Sequence, residues 1–344
     1  MDFVKGLELN RGFYFEIVKP LLDKSFKGLR YTAALLGYGS DVLGMDTEQS
    51  MDHNWGPRMQ IFIDDPELTP VLNEFFKREL PLEYSGFSVN FSSPRYDNTQ
   101  SMQKLEKRPE NNLIEHLIEV DSFRSYLSQR YSINKTSNFS LNDWLMFTDQ
   151  NLLEITSGDV FHDGLNMLNN TRRELEFYPS DICKLRMAVL WHYISNKEAF
   201  IGRSIALDDF TGLKIMAAQL VNYLIKILFY LERKYIPYSK WFGSFFKTLD
   251  VYSKVENLVR GILSENDPSE IERKLCLLYV FVVERHNATP GMPYLNNAIQ
   301  DFFQRPYKVI FAETIIEVLK KSILDDEIRS TDLRKYAHDI IIDE

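Results

Sequence analysis

The spacing of apolar residues first predicts a helix. Residues 8–26 carry Phe15, Val18, Leu22 and Phe26 at positions i, i+3, i+7 and i+11. This spacing places the four side chains on one face of a helix. The chain is therefore expected to open with an amphipathic helix.

Strands are predicted next. The segment "RYTAALLGY" has β-forming and apolar residues without polar alternation, which is typical of a strand buried on both faces. Three further strands are predicted over "RMQIFI", "FSVNFS" and "NLIEHLIEV", with a helix over "PELTPVLNEFFKREL". The polar run at 97–112 has no apolar period and is predicted to be a loop.

After about residue 120 the strand signal stops and the pattern becomes helical. Segments such as "PSDICKLRMAVLWHYI" and "SEIERKLCLLYVFVVERHN" have helical spacing, and Pro-containing breaks separate them. The change of pattern predicts an α+β protein with two domains. A mixed-sheet α/β domain is expected over residues 1–178, and an all-α helical bundle over 179–344, with the boundary at "FYPSD".

Charge and composition narrow the possible partners. The chain has 344 residues and a formal net charge of −9, which argues against a nucleic-acid partner or an anionic membrane surface. The most apolar segment, 213–235, contains Lys226 and is interpreted as a core helix rather than a membrane span. Cys183 and Cys276 are far apart and are expected to be free thiols in a reducing cytosol. We expect a soluble, cytoplasmic protein.

The candidate chemistry lies in "LLGYGSDVLGMDTEQSMDHNWGPR", residues 35–58. A strand that ends at Gly39 and Ser40 and turns into a short helix would expose backbone N–H groups to phosphate oxygens. Asp52, at the start of the next strand, would lie opposite this cradle, and a carboxylate beside a triphosphate suits a bridging Mg²⁺. On a strand, Asp52 and Asn54 would point the same way.

This arrangement resembles the signature of the nucleotidyltransferase (polymerase β-like) superfamily, in which Gly-Ser and a short helix precede Asp-x-Asp or Asp-x-Glu on the next strand. The whole chain more closely resembles a bacterial nucleotidyltransferase-like family labelled domain of unknown function 4037. The stretches that carry this likeness are "GYGSDVLGMDTEQSMDHNWGPR", "GDVFHDG", "EAFIGR" and "LERKYIPYSKWFG". The resemblance implies a fold and a class of chemistry, and it leaves the substrate open.

The resemblance also implies a metal site, but the sequence departs from the pattern at Asn54, which supplies no charge. The missing acid would come from Glu115 or Glu119, and Glu119 is preferred because it is predicted to end its strand. The expected ligands of Mg²⁺ or Mn²⁺ are Asp52, Asn54 and Glu119. Asp52 and Glu119 would be the catalytic residues.

Four residues are expected to bind the nucleotide. Gly39 and Ser40 would hold the β- and γ-phosphates, and Arg58 and Lys240 would contribute positive charge. Alternatives stay open: "WGPR" also fits a bulge with a structural Trp, and "PYSKWFG" fits a corner between helices. "GDVFHDG" fits either acid–base or metal chemistry, or a helix cap in a packed loop.

The resulting hypothesis is a metal-dependent nucleotidyltransferase that moves a nucleoside monophosphate from a nucleoside triphosphate to an unidentified hydroxyl-bearing acceptor held by the helical domain. The alternative is a catalytically degenerate module that binds a nucleotide or a partner, and Asn54 favours it. A third hypothesis, an RNA-modifying nucleotidyltransferase, is weakened by the net charge of −9.

Overall fold

A computed structural model describes residues 3–92, 95–97, 100–102, 105–106 and 113–336. It divides into two compact units. The first comprises Met1–Phe139 and Asn151–Glu176, and the second Ser140–Gln150 and Phe177–Glu344. The predicted boundary lay at 178/179, whereas the structure places the final crossing at 176/177 and assigns Ser140–Gln150 to the second unit. The predicted α+β class is confirmed.

The first unit contains helices around a sheet, with several short hairpin strands. In chain order its elements are α1 (Gly6–Phe13), a π-helical segment (Tyr14–Val18), α2 (Lys19–Ser25), β1 (Tyr31–Leu35), a 3₁₀ helix (Glu48–Asp52), β2 (Arg58–Ile63), α3 (Leu68–Glu79), β3 (Glu83–Tyr84), β4 (Phe87–Ser88), β5 (Arg95–Asp97), β6 (Gln100–Met102), β7 (Leu117–Asp121) and α4 (Phe123–Tyr131). After α5 (Leu141–Met146) of the second unit and α6 (Asp149–Thr156), which crosses the division, β8 (Asp159–Asp163) and α7 (Leu168–Glu174) complete it.

Four of these strands form the central mixed sheet, in the order β7-β2-β1-β8. β1 is antiparallel to both its neighbours, and β2 is parallel to β7. Because side chains alternate along a strand, Met59 and Ile61 of β2 pack into the hydrophobic core with Phe13 and Phe76. The opposite face of the sheet is then left to the intervening residues of β2 and β7.

The first helical run begins two residues before and ends one residue before the predicted helix at 8–26, and its buried face differs. The π-helical segment contains Tyr14, Phe15 and Val18. A π-turn has more residues per turn than an α-helix, so it changes which side chains face the core. Tyr14 is fully buried, whereas Phe15, which the spacing placed on the apolar face, is 47% exposed.

The prediction that strands stop after about residue 120 was wrong. "GDVFHDG" forms β8, which pairs with β1 as an edge strand of the sheet. Only Phe161 of this strand is buried, so its polar ends gave no strand pattern. Asp159 pairs with Arg11, and Asp163 accepts a hydrogen bond from the Thr32 hydroxyl at 2.6 Å.

Two other predicted strands are shorter than expected. Within "FSVNFS" only β4 is a named strand, and it pairs with β3; within "NLIEHLIEV" the strand begins at Leu117. The predicted loop at 97–112 contains β6 and the end of β5, which form a small hairpin. The rest of that loop, apart from 105–106, lies outside the described residues.

The second unit is helical, as predicted, with one small hairpin. Its elements after α5 are α8 (Ser180–Ser195), α9 (Glu198–Ala206), α10 (Phe210–Leu231), α11 (Ser239–Phe246), α12 (Tyr252–Ser264), α13 (Pro268–Asn287), β9 (Gln300–Asp301), β10 (Lys308–Val309), α14 (Ala312–Lys321), α15 (Asp326–Ser330) and a 3₁₀ turn (Leu333–Tyr336). By length and composition α10 is apolar enough to cross a membrane, but 61% of its most apolar window is buried. That burial fits the predicted core helix.

A buried carboxylate holds the start of α14. Glu198 is 4% exposed and accepts the N–H groups of Ile310 and Ala312 at 2.9 and 3.0 Å. Between them, Phe311 has a left-handed backbone with φ of 54°. Burial is the largest effect on Glu198 and raises its pKa to about 7 despite these bonds.

Replacing Glu198 by Gln removes this titration. The folded-state pKa of about 7 lies above the ordinary glutamate value of 4.5, so the folded chain loses stability as the pH rises from 4.5 towards 7. The shift corresponds to about 3 kcal/mol. We therefore expect urea titrations to show that wild type loses unfolding free energy relative to Glu198→Gln as the pH rises from about 5 to about 8. A difference independent of pH would contradict this assignment.

Candidate functional site

The face of the central sheet opposite the core borders a cavity of about 720 Å³. β2 contributes Arg58 and Gln60, β7 contributes Glu119, and α4 contributes Arg130 and Tyr131. Arg58 and Gln60 are two apart on the strand, so both point to the same face. The first unit therefore has a concave wall lined by two arginines, by two carboxylates once Glu154 is included, and by amides and phenols.

A buried ion pair lies at the edge of this cavity. The Arg58 guanidinium donates to Asp41 through Nε at 3.1 Å and through a terminal nitrogen at 2.7 Å. The same terminal nitrogen donates to the carbonyl of Tyr38 at 3.1 Å. The side chains of Arg58 and Asp41 are 10% and 2% exposed. Arg58 was predicted to bind the nucleotide, and the structure shows its guanidinium engaged by the loop after β1.

This ion pair explains Gly39. The glycine has φ of 144°, and a Cβ at this position would lie 2.3 Å from Asp41 Oδ1 and 2.5 Å from the Arg58 guanidinium. Only glycine tolerates both the backbone conformation and the close approach. Its role as part of a phosphate cradle stays a prediction, because neither Gly39 nor Ser40 lines the cavity.

The short helix expected after Gly-Ser is a turn instead. The N–H groups of Leu43 and Met45 donate to the carbonyls of Gly39 and Ser40 at 3.3 and 2.8 Å, and no helix forms before the 3₁₀ helix at Glu48–Asp52. A turn of this length lacks the row of free N–H groups that a long helix presents at its N-terminus.

The expectation that Asp52 begins the next strand was wrong. Asp52 ends the 3₁₀ helix with a 64% exposed side chain, and its Oδ1 lies 2.9 Å from His53 Nδ1. Asn54 has a left-handed backbone with φ of 49°, and β2 begins only at Arg58. Asp52 and Asn54 therefore do not share a strand face, and of the two only Asn54 lines the cavity.

Anchoring contacts explain why the strand starts late. The indole N–H of Trp55 donates to Asp46 at 3.1 Å, and the Gly6 N–H donates to the same carboxylate oxygen at 2.7 Å. Trp55 and Asp46 are both buried. These bonds tie the segment before β2 to the start of α1, so Trp55 has a structural role.

The strand that follows Gly-Ser is β2, where the resemblance places the metal-binding acids. Its cavity-lining residues are Arg58 and Gln60, a cation and an amide. Gln60 Oε1 accepts the N–H of Leu36 at 3.0 Å, and its amide nitrogen lies 3.4 Å from Glu119. The side chains of Arg58 and Gln60 therefore both bind neighbouring groups of the protein.

Glu119 lines the cavity but does not end its strand as predicted. It is the middle residue of β7 and lies beside Gln60 in the parallel register. Arg130 donates to both carboxylate oxygens, at 3.2 and 3.3 Å. Glu115, the alternative acid, precedes the strand and does not line the cavity.

The predicted metal centre is not assembled by these residues. Mg²⁺ prefers several hard oxygen ligands, but Asp52 lies outside the cavity and Glu119 is paired with Arg130. Within the described ranges, no group of three His, Cys, Asp or Glu side chains is placed to hold a metal ion. Asp52, Asn54 and Glu119 do not fit a magnesium site in this arrangement.

Two functional candidates escaped the sequence reasoning. Arg130 and Tyr131 end α4, and Arg130 also lies over the ring of Tyr126, 5.0 Å from its centroid. Burial raises the pKa of Tyr126 to about 12 and that of Tyr131 further, so both phenols stay protonated at neutral pH. The segment "DSFRSYLSQRY" was correctly predicted as a helix, but its own spacing could not show which residues meet the sheet.

Two further basic residues have local contacts: Lys240, predicted to bind the nucleotide, and Arg172. Lys240 lies in the second unit on α11, exposed, with Nζ 5.1 Å from the ring centroid of Trp241, and its nucleotide-binding role stays a prediction. Arg172 is partly buried and donates to the carbonyls of Ile155 and Ser157. Those bonds satisfy carbonyls at the end of α6, which is a structural role.

Comparison with known protein families tests the predicted family membership. Residues 144–242 match the family described as "Domain of unknown function (DUF4037)". The family prediction is confirmed over that segment. The stretches "GDVFHDG", "EAFIGR" and "LERKYIPYSKWFG" all begin inside it, whereas the opening stretch lies before it.

One solved structure with a similar chain is the crystal structure of a nucleotidyltransferase-like protein from Exiguobacterium sibiricum. The identity is 13%, the match covers 94% of this chain and 91% of that chain, and the TM-score is 0.35. No curated protein matches the chain.

The pair of Arg58 and Asp41 gives a stability prediction. Replacing Arg58 by Met leaves a buried carboxylate without its partner, which costs about 3–5 kcal/mol in comparable pairs. The double variant Arg58→Met with Asp41→Asn removes the orphaned charge, so it should be more stable than Arg58→Met alone. Urea unfolding of wild type, both single variants and the double variant measures this coupling. Additive effects of the two substitutions would show that the pair is not coupled.

Proposed function

We propose that the cavity of the first unit binds a nucleoside triphosphate, and that the chain is a cytoplasmic nucleotide-binding protein that does not turn the nucleotide over. This is the catalytically degenerate form of the nucleotidyltransferase-like hypothesis. The volume of the cavity, about 720 Å³, lies in the range of small-molecule sites, about 300–1,000 Å³.

The lining suits a ligand that combines anionic and hydrogen-bonding groups. Arg130 has a side chain that is 40% exposed, so its guanidinium can reach a ligand phosphate while it stays near Glu119. Glu119 has a side chain that is 40% exposed, so it can accept a hydrogen bond from a base or a ribose. Tyr131 offers a flat ring at the same wall.

The observation that carries the absence of turnover is the pair of residues on β2. Arg58 and Gln60 occupy cavity-lining positions on the strand where the resemblance places metal-binding acids. Catalysis of phosphoryl transfer depends on metal ions that neutralise developing charge. A strand that presents a cation and an amide opposes the binding of such ions, but it does not oppose an anionic ligand.

Equilibrium binding tests this proposal. We expect a nonhydrolysable nucleoside triphosphate, tried with each of the four common bases, to bind equally well with Mg²⁺ and with EDTA. Arg130→Met should weaken binding about tenfold, because a charge-assisted hydrogen bond contributes about 1.5–3 kcal/mol. Arg124→Met is the matched control, since Arg124 lies on the same helix, is exposed and does not line the cavity.

Calorimetry distinguishes the outcomes. Equal losses in the Arg130 and Arg124 variants would contradict the location of the site. Binding that requires a divalent metal would contradict the degenerate form and support the second candidate.

The second candidate is metal-dependent transfer of a nucleoside monophosphate to an unidentified hydroxyl-bearing acceptor. The observation that favours it is that Asn54 and Glu119 line the same cavity, with Asp52 two residues from Asn54. The described arrangement does not fit Mg²⁺, so this candidate needs a rearrangement of the segment that carries Asp52.

Asn54→Asp tests that candidate. Aspartate tolerates the left-handed backbone almost as well as asparagine, and it adds a carboxylate to the cavity. If a metal binds beside Asp52 and Glu119, the affinity for Mn²⁺ measured by electron paramagnetic resonance should rise in the variant. Asn151→Asp adds the same charge elsewhere on the cavity wall. An equal gain in both variants, or a gain in neither, would exclude a metal site at Asn54.

A further inference from the structure

The second unit contains its own cavity, of about 400 Å³. It is lined by two arginines, Arg233 and Arg285, together with aromatic, hydroxyl and apolar side chains that include Phe177, Tyr178, Ser180 and Met292. Among its described lining residues there is no carboxylate. Two cations without a neutralising acid give this cavity a positive potential.

Arg285 has a donor that the protein does not use. It lies on α13, half-buried, and its Nε is buried without a hydrogen-bond partner. In the part of the chain that the structure describes, neither Arg285 nor Arg233 forms an ion pair. A buried donor without an acceptor is costly, and a bound anion would satisfy it.

Arg233 occupies a backbone position that favours glycine. It follows the end of α10 with φ of 54°. Its N–H donates to the Tyr230 carbonyl, and the Lys234 N–H donates to the Phe229 carbonyl. These two bonds form a Schellman motif, in which glycine has no steric cost at the position of Arg233. An arginine at this left-handed position is explained if its side chain binds a ligand.

The Arg233 side chain is held at the cavity by an aromatic ring. Its guanidinium lies over Phe177, 5.0 Å from the ring centroid, and both residues line the cavity. Stacking of this kind fixes the plane of the guanidinium and leaves its N–H groups at the edge for an acceptor.

Tyr178 supplies a further unused polar atom. It is 2% exposed, lines the cavity, and its hydroxyl has no hydrogen-bond partner. Its ring is fixed by Arg186, whose guanidinium lies 4.5 Å from the ring centroid and donates to Asp149 at 2.5 Å. Tyr178 is therefore a rigid donor beside two cations.

We propose that this cavity binds a small organic phosphate monoester, with the phosphate held by Arg233 and Arg285 and the organic part against Phe177 and Met292. A phosphate monoester carries close to two negative charges at neutral pH, which matches two arginines better than the single charge of a carboxylate. The planar guanidinium forms paired bonds with phosphate oxygens. The site lies within the second unit, and its lining shares no residue with the nucleotide cavity of the first.

Binding of phenyl phosphate to the full chain, followed by ³¹P line broadening and calorimetry, tests the proposal. We expect phenyl phosphate to bind more tightly than inorganic phosphate, because of its ring, and more tightly than benzoate, because of its charge. Arg233→Gly should weaken phenyl phosphate about tenfold, the effect of losing one charge-assisted contact. Glycine suits the left-handed backbone, so this variant should unfold at the same temperature as the wild type or higher.

Arg285→Met should weaken phenyl phosphate similarly. If that variant does not fold, Arg285→Lys keeps the charge and loses the paired geometry, and it should still weaken binding. Arg260→Met is the control, since Arg260 is an exposed arginine of the same unit and does not line the cavity.

Three results would overturn the proposal. Unchanged binding in Arg233→Gly and the folded Arg285 variant would exclude the site. Inorganic phosphate that binds as tightly as phenyl phosphate would exclude an organic ligand. Benzoate that binds as tightly would exclude phosphate as the recognised group.

Discussion

The buried ion pair between Arg58 and Asp41 is the constraint on which the first unit's cavity depends. It joins the first residue of β2 to the loop after β1, and the Tyr38 carbonyl binds the same guanidinium. A pair this deeply buried is stable only with both partners present, because either charge alone would be desolvated without compensation. Its close approach to the backbone also accounts for Gly39. The Gly-Ser motif and the start of β2 are therefore parts of one packed arrangement.

The sequence was sufficient for elements whose pattern is local. β1 and β2 are fully buried runs, and the long helices of the second unit have continuous apolar spacing, so their type follows from the residues themselves. Glu119 lines the cavity, but it was chosen because it was predicted to end its strand, and it lies in the middle of β7 instead.

Elements fixed by tertiary contacts could not be predicted. Asp52 was predicted to begin a strand, but it ends a 3₁₀ helix, and Trp55 is bonded to Asp46 before β2 begins at Arg58. β8 is an edge strand with one buried residue, so it had no pattern. Arg130 joins the site because Phe123 and Tyr126 of α4 pack on Phe62 of β2. The apolar spacing of α4 alone could not show which strand the helix contacts.

The two units have cavities of different electrostatic character. The first combines Arg130 with Glu119, so it suits a ligand with both acidic and hydrogen-bonding parts. The second has two arginines and no described carboxylate in its lining, so it suits a compact anion. The two arginines that line the first cavity are paired with carboxylates, whereas the two arginines of the second have no carboxylate among the lining residues described.

The central claim is that β2 presents Arg58, held by its ion pair with Asp41, where the resemblance places a metal-binding acid. A crystal structure of the chain grown with a nonhydrolysable nucleoside triphosphate and Mn²⁺, with anomalous data to locate the metal, tests it most directly. We predict nucleotide density beside Arg130, an intact pair between Arg58 and Asp41, and no Mn²⁺ coordinated by protein side chains. A Mn²⁺ ion coordinated by Asp52 and Glu119, with Arg58 released from Asp41, would contradict the account.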